Sequence, residues 1–521
     1  MNFNWVLDTI DRQIPAGDPD KTAVRFDLEA SLSYAELREL SLRYATALRG
    51  LGLGKGDRLG LILYNDVEYI PLYLAASRLR VVPVRINFRL APPEVAFILE
   101  DSGADALVVH SSLVEKVGPA REQLDLGRVF VLRDSEDPIP DWAEDFDALR
   151  GAAPLDPADA PEVGPDDPLT LAYTSGTTGN PKGAIWTHGN TMSFGTMQCI
   201  KWQFSRDTVA LVPGPVYHAG GFETMIVPAL VAGGTGVCIR SGGFSVEHLV
   251  DVINEVGATE VLLFSFMFYE LLRLPNIEQR LSPTVKRLLV GGDTVFPWAF
   301  EDCSKRFPDI GLYQLYGLTE GGAITTTLDP QDLSSQPNSI GRPMPFAEAQ
   351  VVTGEGALAA PDEVGEIWVR SPAVSPGYWQ RPEVNEKTFV DGWCRTGDLG
   401  SVNADGYLSL AGRAKDMIRS GGENIYPAEV EKVLTKHEAV SDAAVIGVPH
   451  ERFNEVGCAI VILKGDAELD TDALALYCRE HMAGYKVPKH FIQVEEFPRT
   501  PSGKVMKFVL REQYAGSFTV A

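Results

Sequence analysis

Residues 173–183 read Tyr-Thr-Ser-Gly-Thr-Thr-Gly-Asn-Pro-Lys-Gly, between the apolar runs Leu169-Thr170-Leu171-Ala172-Tyr173 and Ala184-Ile185-Trp186. Gly176, Gly179 and Gly183 let the backbone turn and approach a ligand where a Cβ would block it. After Thr174, the hydroxyls of Ser175, Thr177 and Thr178 and the ammonium of Lys182 crowd donors into a short loop. Such a set suits a polyphosphate, whose oxygens need many donors at short range. Composition alone would also produce a Gly/Thr-rich surface turn. The flanking apolar runs argue instead for a loop held between two strands. The pattern is not Walker-like: Pro181 stands before Lys182 and Gly183 after it, where glycine and Ser or Thr are required.

Outward from this loop the chain alternates. Ala35–Leu51 is amphipathic at helical spacing, Arg58–Leu63 reads as a strand, Val67–Leu79 as a helix and Arg80–Val84 as a strand. Alternation of this kind predicts layered α/β structure with largely parallel sheets. Residues 151–168, rich in Pro, Asp and Ala, read as an exposed connection. From about residue 340 the strands shorten and are punctuated by Asp391-Gly392 and Asp405-Gly406 turns. A last change near Gly412-Arg413 opens a compact αβ segment. The expected division is a large N-terminal domain, 1–412, of layered α/β subdomains and a small α+β domain, 413–521.

A chain of 521 residues exceeds what one core supports. The formal charge of −25 disfavours nucleic acid or an anionic membrane as partner. It also requires any polyphosphate site to gather its own cations. Six scattered cysteines, without a CxxC pair, point to reduced thiols and a cytoplasmic setting rather than disulfides or zinc. No signal-like n-region precedes an apolar core; Asp8 and Asp11 interrupt the start. The most apolar run, Val261–Tyr269, is about half of a bilayer span and reads as a buried strand or helix.

Five further clusters carry chemistry. Tyr316-Gly317-Leu318-Thr319-Glu320 sets an aromatic, a tight turn, a hydroxyl and a carboxylate side by side. Arg395-Thr396-Gly397-Asp398 offers a carboxylate after a glycine turn, able to accept two hydrogen bonds. Gly412-Arg413-Ala414-Lys415 precedes the pair Gly421-Gly422, and Pro501-Ser502-Gly503-Lys504 puts a lysine on a turn near the end. Tyr217-His218-Ala219-Gly220-Gly221-Phe222 adds a histidine beside glycines. Taken singly, each reads as readily as a turn, a cap or a core histidine.

Taken in order, these motifs resemble those of the AMP-forming adenylate ligases: acyl-CoA synthetases, peptide-synthetase adenylation domains and luciferases. The closest likeness is to stand-alone bacterial fatty-acyl or aryl-acyl CoA ligases, and it covers most of the chain. The resemblance implies ATP, Mg²⁺ and coenzyme A, and a carboxylic acid that is adenylated and then transferred to the CoA thiol. Transfer to a carrier protein or another nucleophile is the alternative. It assigns Thr174–Gly179 and Lys182 to the phosphates, Tyr316 to adenine, Thr319 to the α-phosphate, and Glu320 with Thr174 to the metal. Gly292, Asp293 and Gly317 join the nucleotide site, and Asp398 with Arg413 holds the ribose. Lys415 becomes the hinge of a mobile C-terminal domain, Gly421 and Gly422 line the pantetheine tunnel, and Phe453, Tyr485 and Lys486 reach the CoA nucleotide. Lys504 stabilises charge as pyrophosphate leaves; His218 is a gate and contact on the acyl pocket, not a general base. A catalytically dead relative would have lost Lys182, Glu320 or Lys504, and all three are present.

Two departures stand out. Ser265-Phe266-Met267-Phe268 replaces the usual Val-Pro turn, which predicts a remodelled, aromatic-lined acyl pocket around His218, Phe264–Phe268, Gly317 and Ile324. Asn454 stands for a usual glycine, in a turn that asparagine tolerates. The identity of the acid stays open, and a homodimer is compatible with the sequence.

Overall fold

The computed structural model describes the chain apart from residues 1–3, 17, 125, 175–180, 242–243, 293–294, 414–415, 421–422, 451–452, 466, 483, 501–503 and 515–521. Continuous apolar strands are buried on both faces, as parallel sheets require. One seven-stranded sheet runs Glu144–Asp145, Arg128–Leu132, Ala106–His110, Arg58–Ile62, Val82–Arg85, Pro168–Thr174, Lys182–Thr187. Its neighbours are parallel except the last pair, an antiparallel hairpin with Thr174 opposite Lys182.

A second sheet of 14 strands begins with a parallel part: Thr22–Phe26, Thr235–Cys238, Val209–Val212, Glu260–Phe264, Arg287–Gly291 and Gly311–Tyr316. It continues antiparallel through Thr326–Leu328, Ser339–Pro343, Leu408–Arg413, Trp393–Val402, Gly365–Arg370 and Glu348–Val352. Two large apolar clusters, one joining both sheets and one packing helices Val246–Val256, Ser265–Arg273 and Pro297–Arg306, fix this domain.

The small C-terminal unit is a five-stranded sheet between helices. Along Val440–His450 the pleat alternates. Ala443 and Val445 face the helices Pro427–Leu434 and Thr471–His481; Ala444, Ile446 and Val448 face Lys507–Tyr514. The architecture is therefore mixed α/β, with a large N-terminal and a small C-terminal domain.

Local departures from the expected pattern have simple causes. Arg80 is not in a strand: at φ 61° it caps the helix Tyr69–Leu79 in the left-handed position usually given to glycine, and the strand starts at Val82. The run Val261–Tyr269 divides between the strand Glu260–Phe264 and the helix Ser265–Arg273. Asn454 pairs with His450 across a strand hairpin. Tyr34–Gly50 is helical as expected, and a capping box between Ser33 and Glu36 fixes its start. All six cysteines are free. Among the described residues no helix is long and apolar enough to cross a membrane.

Candidate active site

In open α/β sheets ligands bind beyond the carboxyl ends of the parallel strands, because loops there can diverge around a crevice. Thr174, Phe264, Gly292 and Tyr316 stand at such ends. Thr174 and Lys182 close the base of the hairpin whose tip was read as the phosphate loop. Ser175, Gly176, Thr177, Thr178 and Gly179, at that tip, lie outside the described residues, as do Asp293, Lys415, Gly421 and Gly422.

Glu320 ties the two sheets together. It sits buried in a 3₁₀ turn after the strand Gly311–Tyr316, beside half-buried Thr319. Its Oε1 accepts from the Tyr378 hydroxyl at 2.7 Å and from Thr174 Oγ1 at 3.3 Å. Lys182 Nζ lies 5.3 Å from the centre of the same Tyr378 ring. Gly317 must be glycine: a Cβ there would stand 2.1 Å from the Ala323 carbonyl oxygen. Gly292 combines φ +89° with a would-be Cβ contact of 2.8 Å to the Phe264 ring. The hydroxyl of Tyr316 donates to Asp398 Oδ2 at 2.7 Å, and Asp398 pairs directly opposite Arg413 across two strands.

Tyr378 was not singled out in the sequence. It arrives from a segment far downstream, where Ile185 N–H donates to the Gly377 carbonyl at 2.9 Å and Trp379 N–H to that of Gly183 at 2.8 Å. The Ser375-Pro376-Gly377 turn was the available signal; its docking along the hairpin was not.

His218 begins the other side of the crevice. Its Nδ1 accepts from Gly220 N–H at 3.0 Å, and its ring lies 6.5 Å from that of Phe264. Burial pushes its pKa down to about 4, with the positive charges of Arg85 and Lys504 adding to the effect. Lys504 thus stands close enough for its field to reach His218. Its loop is clasped at the base: Thr500 N–H donates to the Lys504 carbonyl at 2.7 Å, and Lys504 N–H to Thr500 Oγ1 at 3.1 Å.

Arg499 and Thr500, from the small domain, help line a cavity of about 400 Å³ with Phe88, Arg89, Phe266 and Met267 of the large one. Phe266 and Met267 face this cavity, whereas Phe268 is wholly buried, 6.4 Å from Phe300 in the core. The contacts described for Phe453 and Tyr485 stay in the small domain: Phe453 stacks on His450 at 5.0 Å, and Tyr485 lies 5.7 Å from Lys486 Nζ.

One carboxylate and one hydroxyl converging on a single edge suit Mg²⁺, a hard ion that takes one or two carboxylates and fills its shell with phosphate oxygens and water. Donors, an aromatic ring and a ribose-sized pair of acceptors around it suit a nucleoside triphosphate.

Comparison with known proteins bears on the same residues. A family model described as AMP-binding enzyme matches residues 11–379, and one described as AMP-binding enzyme C-terminal domain matches 429–504. The chain is 34% identical to the long-chain-fatty-acid–CoA ligase FadD13 of Mycobacterium tuberculosis, with 99% of each covered. It is 36% identical to a feruloyl-CoA synthase of Amycolatopsis sp, over 95% of this chain and 96% of that one. The crystal structure of ATP-bound MatB from Rhodopseudomonas palustris shares the fold at TM-score 0.90 and 29% identity, with 100% of both chains covered. The chain belongs to the AMP-binding enzymes, the adenylate-forming ligases that its ordered motifs resemble.

Proposed function

We propose that this protein is an AMP-forming acid–CoA ligase acting on a fatty or aryl acid in a reducing cytosol. The observation that carries the reading is the meeting of Thr174, Lys182, Tyr378 and Glu320, with the charge of Lys504 felt at His218.

In the first step a carboxylate oxygen of the acid attacks the α-phosphorus of ATP. The bond to the bridging oxygen of the β-phosphate breaks and pyrophosphate leaves. Lys182 and the hairpin donors hold the phosphates, Tyr316 backs the adenine, and Asp398 accepts from the ribose hydroxyls. Thr319 donates to the α-phosphate. Magnesium, held by Glu320 with Thr174, would neutralise charge on the phosphate oxygens. Lys504 supplies positive charge where negative charge grows, a preorganised electrostatic contribution. His218, neutral at pH 7 with Nδ1 already occupied, acts as a wall and gate of the acyl pocket. In the second step the CoA thiol adds to the acyl carbon, its proton passes to water, and the bond to AMP breaks.

Two reactions sharing one crevice call for a movable domain. On this reading residues 413–521 turn about 413–415, with Lys415 as hinge. Lys504 is withdrawn and Gly421–Gly422 brought in to line the pantetheine path, while Phe453 and Tyr485 reach the CoA nucleotide only in that second pose. The test is AMP release from ATP across acids from acetate to palmitate, benzoates and cinnamates included, with and without CoA. CoA-dependent turnover with thioester product is expected. AMP release indifferent to CoA would favour transfer to a carrier protein or another nucleophile, and ADP as product would end the adenylation reading.

A further inference from the structure

Beyond His218 the structure buries a polar cluster that the two-step chemistry does not use. Arg85 ends the strand Val82–Arg85, opposite Ala172 in the neighbouring strand. That places it two residues, about 7 Å of strand, below Thr174. Glu223 lies on the π-helical turn Phe222–Ile226, just past His218. Both side chains are fully buried and bonded to each other, Arg85 Nη1 to Glu223 Oε2 at 2.9 Å.

One bond does not exhaust these groups. Arg85 Nε and Nη2, Glu223 Oε1, Gln198 Oε1 and the hydroxyls of Tyr69 and Tyr217 are all buried without a hydrogen-bond partner among the described residues. Gln198 is fastened beside the pair, its Nε2 donating to the Glu223 carbonyl at 2.9 Å. Tyr69 lies within the electrostatic reach of Arg85, Glu223 and Tyr217. Burial pushes the Glu223 carboxyl above the usual carboxylate range, against the pull of the Arg85 guanidinium. Each orphaned buried group destabilises the fold unless something pairs with it. Native interiors leave few such groups, so their concentration around the Arg85–Glu223 pair calls for an occupant.

The chemistry of the unpaired atoms describes that occupant. The guanidinium offers two parallel N–H donors and the tyrosines two O–H donors, while Glu223 and Gln198 offer acceptor oxygens. Arg85 and Glu223 are already paired with each other, so a group that both donates and accepts without bringing a charge is satisfied at least cost. A bare methyl end would leave every one of these atoms unpaired.

Resting on the acid–CoA ligase reading, we propose that Arg85, Glu223, Gln198, Tyr69 and Tyr217 form a specificity site for an uncharged hydrogen-bonding group, a hydroxyl or carbonyl, at the far end of the acid. The preferred substrates are then hydroxylated aryl or ω-hydroxy acids rather than plain fatty acids.

The experiment measures pyrophosphate release by the full-length protein with Mg·ATP and CoA on matched acids: cinnamate against 4-hydroxycinnamate, and hexanoate against 6-hydroxyhexanoate and adipate. At least a tenfold higher kcat/KM for the hydroxylated member of the better pair is expected. In Arg85→Met/Glu223→Leu that ratio should fall to one or below while the apolar member is retained. Glu223→Gln, which keeps the size and an acceptor oxygen, should retain most of the preference and serves if the double variant fails to fold. Apolar acids used as well as hydroxylated ones by the unmodified protein would overturn the proposal alone, the cluster then being filled by water. Adipate preferred to both partners would overturn the uncharged assignment. Release with none of these acids, nor with any of the wider acid panel, would overturn the ligase reading and this site with it.

Discussion

The two halves of the crevice are built differently. On the nucleotide side, Thr174 and Tyr316 end strands, Lys182 begins one, Glu320 sits on a tight turn and Asp398 lies within the strand Trp393–Val402; Thr174 meets Glu320 and Tyr316 meets Asp398 directly. On the proposed acyl side, Arg85 at the end of its strand, Tyr69 at the start of its helix, and Glu223 and Gln198 on helical turns are buried in an apolar shell, with polar atoms left over. The first arrangement matches an invariant ligand, a nucleoside triphosphate, with groups that belong to short motifs brought together by the fold. The second matches a variable ligand with single residues that belong to no such motif. The contrast teaches where specificity can change without harming the chemistry.

The sharpest way to break this contrast is to treat the acyl wall as ordinary core. Glu223→Leu removes one partner of a buried pair and leaves a desolvated guanidinium, which should cost about 3–5 kcal/mol of stability. Arg85→Met/Glu223→Leu removes both and should restore most of that loss, as judged from urea unfolding midpoints. A single variant as stable as the parent would mean the pair is not sealed from solvent, and the distinction between the halves would fall.

Next in size is Lys504→Ala on the catalytic side. Adenylation, followed as pyrophosphate release, should slow by roughly 10²–10³. Thioester formation from added acyl-AMP should be nearly unchanged. Equal slowing of both steps would show that Lys504 acts in one fixed pose and would remove the reason for domain movement.

The same contrast explains what the sequence disclosed. The hairpin at 173–183, the turn at 316–320 and Asp398 were legible because each packs its chemistry into a few consecutive residues, and strand pairing then sets Thr174 opposite Lys182 and Asp398 opposite Arg413. The alternation of helices and strands was equally legible, since burial imposes periodicity. Tyr378, Arg85 and Glu223 were not. Their meaning depends on which strand lies beside which: Val82–Arg85 borders Pro168–Thr174, and the Gly377 segment docks on Lys182–Thr187. The division at Phe264–Ser265 was ambiguous for another reason. A short, wholly apolar run satisfies strand and helix alike, and only the tertiary neighbours decide.

A smaller effect sharpens the nucleotide side. Asp398→Ala removes the acceptor of the Tyr316 hydroxyl and the proposed ribose partner. A charged hydrogen bond is worth about 1.5–3 kcal/mol, so KM for ATP should rise roughly ten- to hundredfold with kcat little changed. Tyr316→Phe, which keeps the ring and loses one neutral bond, should raise it by only a few-fold. A Tyr316→Phe effect as large as that of Asp398→Ala would shift the ribose contact to the phenol.

The smallest effect compares one histidine from each half. His188 opens the helix that follows the hairpin strand and is wholly buried, both ring nitrogens without hydrogen-bond partners among the described residues. Burial pushes its pKa down to about 4, Arg80 assisting and Asp167 opposing. His218 is held near the same value but keeps some accessible surface. A histidine whose folded pKa is depressed binds its proton first in the unfolded chain. Its contribution is therefore fully present above the unfolded value near 6.5 and is lost as pH falls from there toward 4. In that window each such group adds a slope approaching about 1.4 kcal/mol per pH unit. Unfolding midpoints of the parent should fall between pH 7 and pH 4.5, and His188→Gln and His218→Gln should each flatten that decline to a similar degree, since both rings are held near the same value. A parent and His188→Gln that lose stability in parallel across this range would mean His188 meets water or a partner in the folded protein, and the dry core beneath the nucleotide hairpin would have to be redrawn.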